Sequence, residues 1–354
     1  MDDALRLAER GRGWTSPNPM VGAVVVSASG QLVGRGFHER DGTPHAESHA
    51  LDAAGALAAG STLYCNLEPC NHTGRTGPCT TRIIDAGVAR VVVGGVDPDP
   101  RVSGAGIERL RGQGITVDVG VRGQAAARLN EAFITRVTHG RPFVTIKVAL
   151  SRDGKIAASA GARTALTSDP MNRAGHGWRS EVDAIGVGSS TMIVDDPLLT
   201  VREVPRLSPL TRVIFDRRLR TPSTARMFTT TAAGPIVILT TTDASTDKSA
   251  RADALQGKGA RVEFVSGETI EAALTRLAEL GINSLLLEGG AVIHRAAWRA
   301  GVVDKVLRIG TPNVLGPEGV TWIDDELSVE DLQDRRDVIY GPDVLTEGYV
   351  QRVD

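Results

Sequence analysis

His45-Ala46-Glu47, followed by Leu67-Glu68-Pro69-Cys70-Asn71-His72-Thr73-Gly74-Arg75-Thr76-Gly77-Pro78-Cys79, is the stretch on which the reading of this chain turns. One imidazole and two thiols supply three nitrogen and sulfur ligands for Zn²⁺, which leaves the fourth tetrahedral position open for water. A structural site would close that position, and no other His or Cys is well placed to do so. Cys79 follows Pro78 at a predicted helix start, where the positive end of the dipole is expected to lower its thiol pKa. Glu47, two residues past His45, is expected beside the bound water without ligating, able to take a proton and pass it to a leaving amine. His72, Arg75 and Thr76 lie in the polar loop between the cysteines and suit a phosphate. An isolated H-x-E on a helix would be a solvated face; the two Pro-Cys pairs downstream are what make it a site. His49 follows His45 by four residues, but no H-E-x-x-H is formed, so it reads as a packing or polar residue. Cys65, inside a predicted strand, reads as a small buried hydrophobe.

Outward from this stretch, the chain alternates strands and helices, which predicts a sheet with helices on its faces. Before it come a helix near Asp2–Arg10 and a hairpin formed by Met20–Val26 and Gln31–Phe37 around Ala28-Ser29-Gly30. A helix over His45–Ala59, a strand at Thr62–Asn66, a helix at Pro78–Ala86 and a strand at Arg90–Val93 follow, then a helix at Ile107–Arg111 and a strand at Ile115–Val119. The texture changes at Thr138-His139-Gly140-Arg141-Pro142, a polar Gly/Pro stretch suited to a junction, which divides the chain into 1–141 and 142–354. Length agrees: 354 residues are about two domains.

In the second half, strands are expected at Phe143–Leu150, Ala184–Val187, Arg212–Phe215, Pro235–Thr240, Arg261–Val265, Ser284–Leu287 and Lys305–Ile309. Helices are expected from a Ser168-Asp169-Pro170 cap, over Thr269–Leu280, and at Ala291–Arg299. Two segments carry weaker chemical signals. Leu287-Glu288-Gly289-Gly290-Ala291 is a buried strand ending in two glycines before a helix, which reads as a simple tight turn or as backbone N–H groups aimed at an anion. Thr191 and Asp195-Asp196-Pro197-Leu198-Leu199-Thr200-Val201-Arg202 read as a polar loop, whose acidic pair by itself is a solvated turn.

Composition removes several function classes. Forty basic against forty-two acidic residues leave a net charge of −2, with no basic cluster to seek nucleic acid or an anionic membrane. Aromatic residues are only 4%, too sparse for a stacking platform on single strands. Hydrophobic content of 41% is that of a globular protein, and no apolar run approaches a membrane span. The acidic start lacks a signal-peptide layout, and three cysteines make no disulfide framework, so the expected compartment is the cytoplasm.

The pattern of His45, Glu47, Cys70 and Cys79 resembles the H-x-E…P-C-x-x-C signature of zinc deaminases, with eight residues between the cysteines in place of two. Together with Ser16-Pro17-Asn18-Pro19-Met20-Val21-Gly22 and Gly36-Phe37-His38, that longer loop resembles the deaminase half of the bifunctional deaminase/reductases of riboflavin biosynthesis. Lys147-Val148-Ala149-Leu150-Ser151-Arg152-Asp153-Gly154-Lys155-Ile156-Ala157, Arg179, Thr191 through Arg202 and Glu288-Gly289-Gly290 look like the reductase half. The resemblance covers nearly the whole chain. It implies a cytidine-deaminase-like α/β/α sandwich followed by an α/β domain similar in fold to dihydrofolate reductase.

It also implies the ligands. Zn²⁺ on His45, Cys70 and Cys79 would serve deamination of a diaminopyrimidinone ribosyl phosphate, with Asn18 and His38 at the pyrimidinone and His72, Arg75 and Thr76 near the phosphate. Asn18 read by itself is a turn residue between two prolines. NADPH would lie near Ala149, Ala165, Thr191, Asp195, Gly289, Gly290, Ala291 and Val292. The sugar phosphate to be reduced would lie near Lys147, Arg163, Arg179, Leu199, Arg202 and Glu288; a guanidinium suits a phosphate because it donates two parallel hydrogen bonds. Hydride goes to a ribose carbon as the ring opens, and Lys147 and Asp195 are candidates to manage the accompanying proton. The family also implies small-molecule substrates and a homo-oligomer, dimer or tetramer. One segment departs from its pattern: Thr164-Ala165-Leu166-Thr167 stands where the family shows Trp-Ile-Thr, so Ala165 replaces an aromatic beside the nicotinamide, and Arg163 replaces a small polar residue. A degenerate reductase, a zinc nucleoside deaminase and a zinc-stabilised binding module are the rival readings.

Overall fold

The computed structural model describes residues 1–72, 77–100, 102–206, 208–242, 246–323 and 327–350, the side chains of 246 and 247 excepted. The chain separates into two compact units, Met1–Gly140 and a second beginning at Arg141.

The first unit begins with α1 (Asp2–Glu9) and the hairpin β1 (Gly22–Val26) and β2 (Leu32–Phe37). Then come α2 (Ala46–Ala54), β3 (Thr62–Cys65), α3 (Cys79–Asp85), β4 (Arg90–Val93), α4 (Ala105–Gly112) and β5 (Thr116–Val119). The expected long helix after His45 stops early: Gly55, with φ 53°, ends α2, and Gly55–Ala58 tightens into a 3₁₀ turn. Two helices absent from the sequence reading close the unit, α5 (Gly123–Leu129) and α6 (Glu131–His139). Strand order is β2-β1-β3-β4-β5, with β1 antiparallel to both neighbours and β3, β4 and β5 parallel. Ala23, Val25, Leu63, Cys65, Val91 and Val93 alternate along the strands into one apolar core, against Ala46, Ala50, Leu51 and Ala54 of α2. The strand reading of Cys65 holds, since it is wholly buried there.

The second unit is built on β6 (Phe143–Leu150), β7 (Lys155–Ala157), α7 (Asp169–Glu181), β8 (Ala184–Gly188), α8 (Ser189–Asp195) and β9 (Thr211–Phe215). It continues with β10 (Ile236–Thr241), α9 (Thr246–Gln256), β11 (Ala260–Val265), α10 (Ile270–Glu279), β12 (Ser284–Leu287), α11 (Ala291–Arg299) and β13 (Lys305–Gly310). Last come β14 (Val320–Thr321) and the hairpin β15 (Gln333–Tyr340) and β16 (Asp343–Tyr349). Nine strands run in the order β11-β10-β9-β8-β12-β6-β13-β16-β15, parallel from β11 to β13 and antiparallel at the final hairpin; β14 pairs with β7 separately. Both faces of the parallel part are covered. Val237 and Leu239 of β10 join one core while Ile236 and Ile238 join another, as period-two alternation requires of a strand buried on two sides.

Two local expectations are corrected. Ser168 stands at the N-terminus of α7, but its hydroxyl donates to Asp343 Oδ2 at 2.7 Å and does not cap the helix. Thr191 and Asp195 are not in a loop: Ser189–Asp195 forms α8, directly after β8. The loop begins only at Asp196, where φ is 43°.

Candidate functional site

In the first unit, α2 and α3 present their first turns to a common point. His45 is the residue preceding α2, and Cys79 is the first residue of α3. His45 Nδ1 lies 3.3 Å from Cys79 Sγ and 3.5 Å from Cys70 Sγ, and the Cys79 N–H donates to Cys70 Sγ at 3.4 Å. The three ligand atoms lie within 4.8 Å of one another. A tetrahedral zinc with bonds of about 2.0 Å to nitrogen and about 2.3 Å to sulfur places N and S about 3.5 Å apart. This donor set therefore fits the ion, and Nδ1 is the ring atom that faces it.

The thiols titrate as a pair in this arrangement. Cys70 accepts a hydrogen bond from Cys79 and is held down at about 4, against the opposing effect of burial. Cys79 is pushed up, by that same bond and then by burial. Burial of Cys79 opposes the helix-dipole lowering expected at the start of α3. Glu47, in the first turn of α2, is 3% exposed, and burial raises its carboxyl above the usual range while the His45 ring opposes the shift.

His38 and Asn18 join this centre. The His38 and His45 rings meet edge to face with centroids 5.5 Å apart. Asn18 Nδ2 lies 3.4 Å from His38 Nε2 and donates to Asp41 at 3.0 Å. Burial lowers the His38 pKa. His72 is exposed, and Arg75 and Thr76 lie outside the described residues. His49 is half-buried, and its Nε2 has no hydrogen-bond partner among the described residues.

Three buried residues that hold this site were not legible as functional. Asn66 and Asn130 both donate to the Met20 carbonyl at 2.9 Å, and their side-chain oxygens accept from Gly22 N–H and Met20 N–H, each at 2.8 Å. They fix the turn that carries Asn18. Glu68 accepts from the N–H groups of Gly104 and Gly106, each at 2.9 Å, and of Asp97 and Ile107. Its carboxylate ties the Pro69-Cys70 segment to the start of α4. Partners 29 to 110 residues away leave no local pattern in the chain.

In the second unit the candidates gather where β6, β8 and β12 end. Glu288, just past β12, receives Arg179 of α7 through two hydrogen bonds, 2.7 Å from Nε and 2.8 Å from a terminal nitrogen. Lys147 Nζ of β6 lies 3.9 Å from the same carboxylate. Burial works to raise the Glu288 carboxyl, but Arg179 and Lys147 outweigh it and hold the pKa at about 2. Arg179 also donates to the Thr200 carbonyl at 3.2 Å, and Arg202 N–H donates to His176 Nδ1 at 3.3 Å, so the loop carrying Leu199 and Arg202 is drawn to α7. Leu199 is buried with φ 53°. Ala149 lies two residues beyond Lys147 on the same face of β6.

Gly289 and Gly290 form the turn into α11, whose first residues are Ala291 and the exposed Val292. A Cβ on Gly289 would meet Ile293 at 2.3 Å, so glycine is required there by close approach. Burial raises the Asp195 carboxyl, and the Arg163 charge opposes that shift. Arg163 and Ala165 are both exposed. Arg212 is a wholly buried guanidinium facing backbone carbonyls of Leu198, Met227, Thr230 and Gly234, which anchors the start of the same loop.

Comparison with known proteins gives the family of each unit. Residues 1–95 match the cytidine and deoxycytidylate deaminase zinc-binding region, and residues 142–346 match the RibD C-terminal domain. The riboflavin biosynthesis protein RibD of Aquifex aeolicus is 43% identical, over 90% of this chain and 87% of that protein. Its Synechocystis counterpart is 39% identical, over 99% and 95%. Among solved structures, Acinetobacter baumannii RibD aligns with a TM-score of 0.86 at 32% identity, covering 99% of this chain and 98% of that one. A Thermotoga maritima diaminohydroxyphosphoribosylaminopyrimidine deaminase/5-amino-6-(5-phosphoribosylamino)uracil reductase aligns with a TM-score of 0.82 at 34% identity, over 99% and 97%. Similarity of this extent, running through both units in the order zinc-binding deaminase region and then RibD C-terminal domain, makes the chain a member of the RibD family of riboflavin biosynthesis proteins.

Proposed function

We propose that the chain catalyses two steps of riboflavin biosynthesis. The first is hydrolytic deamination of 2,5-diamino-6-(5-phosphoribosylamino)pyrimidin-4-one. The second is NADPH-dependent reduction of the ribosyl group of 5-amino-6-(5-phosphoribosylamino)uracil to ribityl. The observation that carries the first step is the convergence of His45 Nδ1, Cys70 Sγ and Cys79 Sγ next to a buried carboxyl. Zinc held by these three atoms supplies Lewis acidity that makes water nucleophilic near neutral pH. Glu47 takes the proton from water and returns it to the departing amine, a task that a carboxyl raised by burial performs better than an exposed one. Asn18 and His38 orient the pyrimidinone, and His72, Arg75 and Thr76 hold the phosphate.

In the second domain, Arg179 and Arg202 receive the sugar phosphate and Glu288 fixes Arg179 in place. NADPH bound there would supply the hydride that the ribose carbon takes up as its ring opens. Lys147 or Asp195 supplies the proton that the ring oxygen gains. Ala149, Ala165, Thr191, Asp195 and the Gly289–Val292 turn would hold NADPH, and Arg163 and Leu199 would hold the substrate. The enzyme works in the cytoplasm, on small molecules, as a homo-oligomer; among the described residues no helix is long and apolar enough to cross a membrane.

Glu47→Gln tests the deaminase assignment. Bound zinc is expected to remain at one per chain while ammonia release falls by about 10²-fold or more. Ammonia release at the parent rate would overturn the role of Glu47.

A further inference from the structure

The second unit buries an imidazole that the chemistry above does not use. His294 of α11 has no exposure and lies beneath the Glu288-Gly289-Gly290 turn. Trp322, which is equally buried, donates its indole N–H to His294 Nδ1 at 2.9 Å, with the two rings edge to face. On the other side of the ring, Nε2 lies 3.1 Å from the Leu287 carbonyl and 3.2 Å from the Gly289 nitrogen, whose N–H points at it.

Proton accounting decides the tautomer. An indole N–H only donates, so Nδ1 must keep its lone pair. The neutral ring then carries its proton on Nε2, where the Leu287 carbonyl accepts it. A second proton on Nδ1 would break the Trp322 bond inside a fully buried site, and burial accordingly lowers the pKa to about 4. The charged groups near the ring, Lys147 on β6 and Glu288 after β12, oppose one another. Two donor groups face the ring, Trp322 at Nδ1 and the Gly289 N–H at Nε2, and the Leu287 carbonyl, which only accepts, decides between them in favour of the proton on Nε2.

We propose that His294 is the positioning residue of the reductase's nucleotide turn: Trp322 and the Leu287 carbonyl set its tautomer, and the ring pins the end of β12 through Leu287 and so fixes the Glu288-Gly289-Gly290 turn for the dinucleotide. The inference rests on the reading of this turn as the NADPH site. It predicts that the ring contributes to cofactor affinity and not to hydride transfer.

The test has a spectroscopic arm and a binding arm. With ¹⁵N-labelled histidine in the intact chain, His294 is expected to show the Nε2–H tautomer unchanged from pH 5.5 to 9, and Trp322→Phe to abolish that signature. An Nδ1–H tautomer, or a His294 that titrates in that range, would overturn the proposal. For binding, His294→Leu is expected to raise the NADPH dissociation constant about tenfold with kcat within twofold at saturation, and His294→Gln, which restores a donor near the Nε2 position, to recover most of the loss. Unchanged NADPH affinity in His294→Leu, or a fall in kcat alone, would overturn it. If His294→Leu does not fold, Trp322→Phe carries the binding test, with the same direction expected. Absence of NADPH binding in the parent chain would instead overturn the reading of the turn, whatever the tautomer.

Discussion

Glu288 shows how a single side chain ties the stability of the second domain to its site. Its carboxyl is held at about 2 against an ordinary value of 4.5, because Arg179 and Lys147 outweigh the cost of burial. A carboxyl depressed in the folded state stabilises the fold above its unfolded pKa and loses that contribution as pH falls towards the folded value. Two and a half pH units correspond to as much as about 3 kcal/mol. Urea unfolding of the parent should therefore weaken between pH 5 and pH 3. Glu288→Gln should be less stable at pH 7, since it leaves Arg179 and Lys147 unpaired, and should lose most of that slope. A variant with the parent's pH dependence would show that the slope comes from other carboxyls. His45, Glu47, Cys70 and Cys79 were readable at this scale because their chemistry is carried by residue type and spacing. Asn66, Asn130 and Glu68 were not, since each acts on backbone brought to it by the fold.

Among the elements, the seating of α2 on β2 is the controlling contact for the zinc centre. A Cβ on Gly36 would lie 2.3 Å from the Ala46 carbonyl oxygen and 2.6 Å from His49 Cβ, and one on Gly34 would lie 2.1 Å from the Ala50 carbonyl oxygen. Backbone of the helix is what would be struck, so no rotamer change relieves the clash. Gly36→Ala is expected to cost about 1–3 kcal/mol and to displace His45 and Glu47 together. Zinc affinity and ammonia release should fall by more than tenfold while NADPH oxidation with the deaminated substrate persists. Parent-like zinc affinity in a folded Gly36→Ala chain would show that α2 tolerates the shift. The hairpin itself was legible from two apolar runs around Ser29-Gly30. That β2 must be glycine-rich was not, because the reason lies in the helix crossing it.

For the whole molecule, the two families matched by separate stretches of chain imply two separable chemistries. Stripping the metal with a chelator is expected to abolish ammonia release and leave the oxidation of NADPH by 5-amino-6-(5-phosphoribosylamino)uracil within twofold of the untreated rate. Loss of both activities would mean that zinc supports the reductase domain as well. The same assay measures the consequence of Ala165. NADPH consumption would show that the exposed alanine is a tolerated replacement for the aromatic. Ammonia release without NADPH consumption would make the second domain a reductase in fold only.

The sequence by itself determined the α/β class and the two-part order, and it offered His45, Cys70 and Cys79 as candidate zinc ligands and Glu47 as candidate general base. All of these are encoded in side-chain chemistry at fixed spacing and in the period of apolar residues along strands and helices. Tertiary structure alone decided the final β15–β16 hairpin and the helical state of Thr191 and Asp195. It alone brought Arg179 and Lys147 to Glu288, and Trp322 to His294. The physical reason is common to them: each depends on which groups share a buried volume, where a partner 28 or 109 residues away replaces solvent, and no local pattern in the chain records that distance.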